Sequence, residues 1–247
     1  MTTKLTIIIP TYNEEDVIEN TLRSIDKEVK TPHQILVVDD STDNTEKVVR
    51  KYSKRNKNVK FVKNNPKKKG FSQSLKTALK HVETDVVVVV MGDMCDDPKL
   101  LDKMYEGIQK GADVVCGSRY MKGGKKIGGP KLQGLFSMLV CKSLYLITGV
   151  PTVDASNAFK MYKKKVLKDV VFNPLSGVES SMETFFQVYF NDGKIVEIPT
   201  VWRGRTVGES KFNFFKRTPQ YMRIYLWVIE NSLRKSFHLK LKSFYVK

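Results

Sequence analysis

The densest chemistry in the chain lies in residues 86–98, where a run of five valines ends in Met91-Gly92-Asp93-Met94-Cys95-Asp96-Asp97-Pro98. A continuous apolar run of β-branched residues reads as a strand buried on both faces. Carboxylates just beyond such a strand lie where open α/β sheets bind ligands, at the carboxyl ends of their strands. Asp93, Asp96 and Asp97 would repel one another unless positive charge sat among them. A divalent cation holding a diphosphate is a natural candidate. Asp-Asp-Pro is also a good helix start, so the same acids read equally as a solvated cap.

Two further strand-like runs end in small polar and acidic residues: Thr11, Tyr12, Asn13 and Glu14 after the first, and Asp39, Asp40, Ser41, Thr42 and Asp43 after the second. If these strands are adjacent and parallel, all three patches share one rim. An Asp there can accept hydrogen bonds from a nucleobase or ribose, and a metal-bound Asp can hold a diphosphate. No GxGxxG follows the first strand and no GxxxxGK[ST] occurs, which disfavours a dinucleotide-binding dehydrogenase or a P-loop enzyme. His33, His81 and His238 read as surface or packing residues. Cys95, Cys116 and Cys141 lack the spacing of a zinc site or a disulfide framework, so a reducing compartment is expected.

The elements that must position these residues alternate. Residues 5–10, 35–38, 59–62, 86–90 and 113–117 read as strands. Helical spacing recurs from Val17 to Ile25 and over 45–52, 71–81 and 100–111. Such alternation means a mostly parallel sheet with right-handed crossovers. Beyond Arg119 the pattern loosens. It predicts a Gly/Lys loop over 121–131, a long helix from Leu132, an edge strand at 158–161, a helix over 179–190 and a strand over 194–202. A basic, aromatic-bearing helical tail follows. The expected organisation is one α/β domain over 1–213 and a tail over 214–247.

The chain has 247 residues, with 43 Lys and Arg against 26 Asp and Glu, for a net charge of +17. That excess suits a polyanionic partner such as nucleic acid, an anionic membrane surface or phosphorylated substrates, and it also fits a lysine-rich proteome. No RNP, KH or zinc-finger signature appears, so nucleic acid is not expected as a partner. The N-terminus does not read as a signal peptide. No uncharged apolar run reaches the length of a membrane span; Gln133 and Lys142 interrupt the longest. In the tail, Phe214, Tyr221, Trp227 and Leu233 precede Arg234, Lys235, Lys240 and Lys242. This pattern suits an interfacial helix on an anionic leaflet. It suits equally a helix whose apolar half packs on the domain.

The quoted motifs also resemble a known family. Ile7-Ile8-Ile9-Pro10-Thr11-Tyr12-Asn13-Glu14 and Val37-Val38-Asp39-Asp40-Ser41-Thr42-Asp43-Asn44-Thr45 resemble the opening of family 2 glycosyltransferases, which have the GT-A fold. Gly117-Ser118-Arg119-Tyr120, Asp154-Ala155-Ser156-Asn157-Ala158-Phe159-Lys160 and Gly208-Glu209-Ser210-Lys211-Phe212 are similar to its branch of dolichyl- and polyprenyl-phosphate sugar transferases. The resemblance implies a mostly parallel GT-A sheet flanked by helices. It implies inverting transfer of a hexosyl group, first choice mannose from GDP-mannose, onto a polyprenyl or dolichyl phosphate. Pro10, Tyr12 and Glu14 match positions lining the nucleotide pocket. Asp39 and Asp40 match positions near the base and ribose, and Lys69 and Gly70 the step beside the nucleotide. Asp93 matches the second acid of a DxD-type motif, which contacts metal and diphosphate. Arg119 matches an acceptor-loop arginine, and Arg205, Ser210 and Lys211 a basic cluster that meets phosphate. The implied catalytic set is Asp93, Arg119, Arg205 and Lys211; the implied acceptor side is Arg119, Asp154, Ser210 and Lys211.

Two departures from the family pattern bear on the chemistry. Met91 stands at the first acid of the DxD motif and Cys95 at a third polar position, whereas Mg or Mn prefer oxygen ligands. Asp93, helped by Asp96, would then hold a divalent metal bound mostly by diphosphate and water; weak metal dependence is the alternative. Asn157-Ala158 replaces the more usual Ser-Gly. An acceptor phosphate is already anionic, so catalysis rests on positioning and charge stabilisation rather than a strong base. Arginine suits phosphate through its paired donors. Three alternatives stay open: a family 2 transferase using UDP-glucose or another nucleotide sugar and a saccharide acceptor, with Asp154 as base; a basic nucleic-acid-binding protein; and a degenerate transferase that binds nucleotide only. The expected place is the cytoplasm, peripheral on the cytosolic membrane face. The chain would act there as a short single-domain form or beside a membrane-anchoring partner.

Overall fold

The computed structural model describes residues 3–65, 69–173, 176–208 and 214–237. The first half alternates as expected: β1 (Leu5–Thr11), α1 (Ile18–Glu28), β2 (His33–Asp39), α2 (Thr45–Arg55), β3 (Val59–Lys63), α3 (Phe71–His81) and β4 (Val86–Val89). A 3-10 turn (Pro98–Leu100) leads into α4 (Leu101–Gln109) and β5 (Val114–Ser118). Then come β6 (Lys125–Ile127), α5 (Lys131–Thr148), β7 (Lys160–Lys163), a second 3-10 turn (Lys164–Leu167), α6 (Ser180–Phe190), β8 (Ile195–Pro199), β9 (Val201–Arg203) and α7 (Phe214–Ser236). The main sheet has seven strands in the order β3-β2-β1-β4-β7-β5-β8, and β6 pairs with β9 apart from it. Every neighbouring pair is parallel except those made by β7. This is the mostly parallel, helix-flanked sheet that the motifs imply.

The valine run divides by parity, because successive strand residues face opposite sides. Val86, Val88 and Val90 join Leu5, Ile7 and Ile9 in one core, under α1, α2 and α4. Val87 and Val89 join Ile8, Leu36 and Val38 in the other, under α3, α5, α6 and α7. A strand covered on both faces has no position for a polar residue, which explains the uninterrupted run.

Two expectations from sequence need correction. The strand expected at an edge over 158–161 lies at 160–163 in the sheet interior, antiparallel between β4 and β5. Phe159, Lys160 and Met161 are all fully buried. The lysine disguises an interior strand as a surface one. The segment 194–202 is two strands. Pro199 has no N–H with which to extend the ladder. After it the Thr200 N–H goes to the Ser118 carbonyl at 2.9 Å, and the chain turns to pair with β6. The supposed loop over 121–131 supplies that partner strand.

The tail presents two faces. Ile224 and Val228 of α7 are buried in the same core as α5 and α6, and the Trp227 ring meets Phe190 edge-on at 5.6 Å. Leu226 and Leu233 stay exposed, as do Leu132, Leu135, Leu139 and Leu146 of α5. No helix among the described residues is long and apolar enough to cross a membrane.

Candidate active site

Parallel pairing of β2, β1 and β4 brings their carboxyl ends to one rim, with Thr11 level with Asp39 and Asp39 level with Lys63. Asp39 is fully buried there. Its Oδ1 accepts from Thr11 Oγ1 at 2.8 Å and from Ser41, and its Oδ2 pairs with Lys63 at 2.6 Å. It braces the rim from beneath rather than opening toward a ligand. Asp40 accepts from the Gly70 N–H at 2.8 Å and from Ser74 at 3.3 Å, so it fixes the entry to α3. Gly70 holds φ at +109°, a region that favours glycine. Lys69 beside it is exposed.

The β1 end is held by short polar links. Pro10 is buried in the strand and Tyr12 is half exposed at the mouth. The Asn13 N–H donates to Ser41, and its side chain accepts from the Thr42 N–H at 2.8 Å. The Glu14 N–H donates to Thr45, while its carbonyl accepts the first N–H groups of α1. The Glu14 carboxylate is left pointing across the rim.

The three acids after β4 take three different positions. Asp97 accepts from the Lys99 N–H at 3.1 Å and caps the 3-10 turn, with Pro98 at its first position. Asp96 is buried and accepts from the Met91 N–H at 3.1 Å; burial and the neighbouring Asp93 charge push its carboxyl up to about 7. Asp93 alone turns to the rim. Its Oδ1 takes the Cys95 N–H at 3.1 Å and its Oδ2 lies 3.4 Å from Arg205. Met94 between them adopts φ +61°, a sparsely populated conformation for a residue with a side chain.

Arg205 closes the rim. Its two terminal nitrogens meet the Glu14 carboxylate at 2.7 and 2.9 Å, and one of them also faces Asp93. The pairing with acids raises its already high pKa further against the opposing effect of burial. A cation thus sits between the β1 and β4 acids, where a diphosphate would need positive charge.

The motif residues beyond β5 form a second cluster. The Arg119 backbone N–H and Nε both donate to Asp154 Oδ2, and Nη2 donates to Asp154 Oδ1 at 2.7 Å and to Ser156 at 3.0 Å. Asp154 is fully buried, and its carboxylate is spent on this arginine. Ser210 and Lys211 lie outside the described residues. Two residues near these clusters escaped the reading of the sequence. Lys63 neutralises Asp39, and extending β3 by one residue would have revealed it. Lys126 stacks on Trp202, and no motif marks it.

The donor set can hold a metal only sparingly. Among the described residues no group of three or more His, Cys, Asp or Glu forms a metal cluster. Met91 offers sulfur, and burial beside Asp93 pushes the Cys95 thiol's pKa up, so it stays protonated. Asp96 faces its own backbone. Of the acids after β4 only Asp93 faces the rim, which fits a cation bound chiefly through phosphate oxygens and water.

The family model for glycosyl transferase family 2 matches residues 6–171. A dolichol-phosphate mannosyltransferase of Pyrococcus furiosus is 32% identical over 216 residues, 84% of this chain; the match spans 59% of that relative's length. A dolichyl-phosphate hexose transferase of Haloferax volcanii is 28% identical over 214 residues, 85% of this chain and 87% of its own. Among solved structures, the glucosyl-3-phosphoglycerate synthase of Mycobacterium tuberculosis, in complex with Mn2+, UDP and glucosyl-3-phosphoglycerate, superposes with a TM-score of 0.67 at 16% identity, covering 96% of this chain and 81% of that one. That likeness is one of fold, the GT-A arrangement of sheet and helices.

Proposed function

Because this chain belongs to glycosyl transferase family 2, we propose that it moves a hexosyl group from a nucleotide sugar to the phosphate of a polyprenyl or dolichyl phosphate. Mannose from GDP-mannose is the first donor to try. The observation that carries this reading is the rim itself: Glu14 and Asp93, from the turns after two parallel strands, held around one arginine. The names of the Pyrococcus and Haloferax relatives supply the lipid-phosphate acceptor.

In this reading the nucleotide lies across the ends of β1 and β2, over the ledge braced by Asp39 and Asp40, with Tyr12 and Lys69 at its margin. Its diphosphate lies near Arg205, whose guanidinium offers paired donors to phosphate oxygens. A divalent cation, Mg or Mn, would be held by Asp93 and the diphosphate, without Asp96. When bound it would screen the charge that develops on the leaving diphosphate. An oxygen of the acceptor phosphate attacks the anomeric carbon from the face opposite the leaving group. The bond from that carbon to the diphosphate oxygen breaks, the electron pair leaves with the nucleoside diphosphate, and the configuration inverts. No proton has to be removed from the nucleophile. The burial of Asp154 supports a phosphate over a saccharide hydroxyl, because the acid that would serve as base has no open oxygen.

A lipid acceptor is met at a membrane. The exposed leucines of α5 and α7 support a peripheral position on a membrane surface, on the cytosolic face in this proposal. A membrane-anchoring partner is compatible with that placement.

The direct test incubates the protein with radiolabelled nucleotide sugars, polyprenyl phosphate and Mg or Mn, then extracts into organic solvent. Label should enter the organic phase only when polyprenyl phosphate is present. Label confined to the aqueous phase for every donor would overturn the acceptor assignment.

A further inference from the structure

A second concentration of positive charge lies between β6, β9 and the first turns of α5. Lys126 pairs with Trp202 across the β6–β9 ribbon, its ammonium 5.0 Å from the ring centroid. It donates to the carbonyls of Gly128 at 2.8 Å and Pro130 at 3.4 Å. Those two bonds leave one of its three donors. No carboxylate pairs with it among the described residues.

Gly134 joins this lysine to Arg119. A Cβ built on Gly134 would fall 3.0–3.1 Å from the end of the Lys126 side chain. The Gly134 carbonyl accepts from the Tyr120 hydroxyl at 3.3 Å, and the Tyr120 ring lies 4.8 Å from the Arg119 guanidinium. Arg119 spends Nε and Nη2 on Asp154 and Ser156, and its Nη1 bonds nothing among the described residues. Lys126 thus reaches Gly134 directly and Arg119 reaches it through Tyr120, and the carboxylate facing Arg119, Asp154, is already engaged. Burial and the Arg119 charge hold the Lys126 ammonium below the usual lysine pKa. Like charges gathered in a partly desolvated place are unfavourable until an anion joins them.

We propose that Lys126 is the second cation of a seat, shared with Arg119, that receives the acceptor phosphate. The proposal rests on the lipid-phosphate reading above and adds a residue to it. A phosphate presents several acceptor oxygens. Arg119 Nη1 and the free Lys126 donor supply one contact each, the lysine acting as a point charge. The Trp202 face fixes the lysine stem in advance, so less freedom is lost on binding. The same geometry gives Gly134 a reason to interrupt a helix that alanine would favour, because Lys126 fills the space a methyl would take.

The test measures farnesyl phosphate binding to the full chain by calorimetry at low salt. Farnesol, inorganic phosphate and GDP with Mg serve as controls, and Tm is recorded for every variant. Lys126→Met should weaken farnesyl phosphate about 10- to 100-fold, the scale of a lost charge-assisted hydrogen bond. Lys126→Arg should stay within a few-fold, and farnesol and GDP affinities should not move. Inorganic phosphate should weaken in parallel, which separates the headgroup from the chain. If Lys126→Met fails to fold, Gly134→Ala, which displaces the ammonium, should weaken farnesyl phosphate several-fold. Unchanged binding in the folded variant, or none by the wild type, would overturn the seat. A wild type that binds farnesyl phosphate through Lys126 yet transfers no sugar to a polyprenyl phosphate would overturn the acceptor reading and uphold the seat. Transfer to polyprenyl phosphate that Lys126→Met leaves intact would do the reverse.

Discussion

Arg205 and Glu14 stand 191 residues apart in the chain and meet through two hydrogen bonds of 2.7 and 2.9 Å at the mouth of the sheet. The pair joins the loop after β9 to the end of β1. Its guanidinium also reaches Asp93, so one side chain balances two acids.

Replacing that guanidinium tests its place. Arg205→Gln leaves Glu14 and Asp93 facing each other and the incoming diphosphate without the tethered charge. Calorimetry should show nucleoside diphosphate affinity down by about tenfold. Raising Mg or Mn should recover part of the loss, because a free cation then takes up the charge between the acids. Undiminished affinity would place the diphosphate elsewhere.

Asp93 is the one acid after β4 that faces the rim, 3.4 Å from Arg205. Asp93→Asn should lower turnover by about 10²- to 10³-fold, the scale of one removed electrostatic stabiliser. It should also abolish the metal-dependent part of nucleotide binding. Asp96→Asn should leave that part intact, since Asp96 faces the Met91 N–H.

The buried Arg119–Asp154 pair should matter most for stability. Asp154→Asn strands a guanidinium whose side chain is only 11% exposed. Loss of one partner from such a pair costs about 3–5 kcal/mol. Chemical denaturation should show it, whereas a catalytic base would show loss of activity with stability unchanged.

Asp96 makes stability depend on pH. Burial and the Asp93 charge push its folded carboxyl up to about 7 from the ordinary 3.8, so the fold binds the proton more tightly. The contribution is complete below the unfolded value and is lost as pH rises toward 7. Asp96→Asn should therefore raise Tm at pH 8 relative to the wild type, with little difference at pH 4. Equal differences at both pH values would refute the assignment of a neutral acid.

The exposed leucines give a membrane test. Leu139→Glu in α5 and Leu226→Glu in α7 should each reduce co-sedimentation with anionic liposomes. Tm should hold, since both side chains are more than half exposed. Unaltered sedimentation would move the membrane contact off these helices.

Much of this arrangement follows from local pattern alone. The five valines, the turns after each strand and the 3.6-residue spacing of Ile18, Leu22 and Ile25 determine a mostly parallel sheet and its order of elements, because each depends on neighbours a few residues away. The motifs were legible for the same reason: Asp39 ends β2, Arg119 follows β5, and Asp93 lies in the short turn after β4. Interior placement of β7 was not legible, since a fully buried lysine reads as surface until its carbonyl partners at Ala155 and Asn157 are known. The family motif singled out Asp93, with Asp96 as its helper; only the fold turns Asp96 inward onto the Met91 N–H and sets Asp97 as the cap beside Pro98. Only the folded chain decides that Arg205 neutralises Glu14, that Asp39 and Asp154 are consumed inside, and that Gly134 and Tyr120 link Lys126 to Arg119. Those pairings join residues distant in sequence, and their energies depend on burial and separation, which no local pattern encodes.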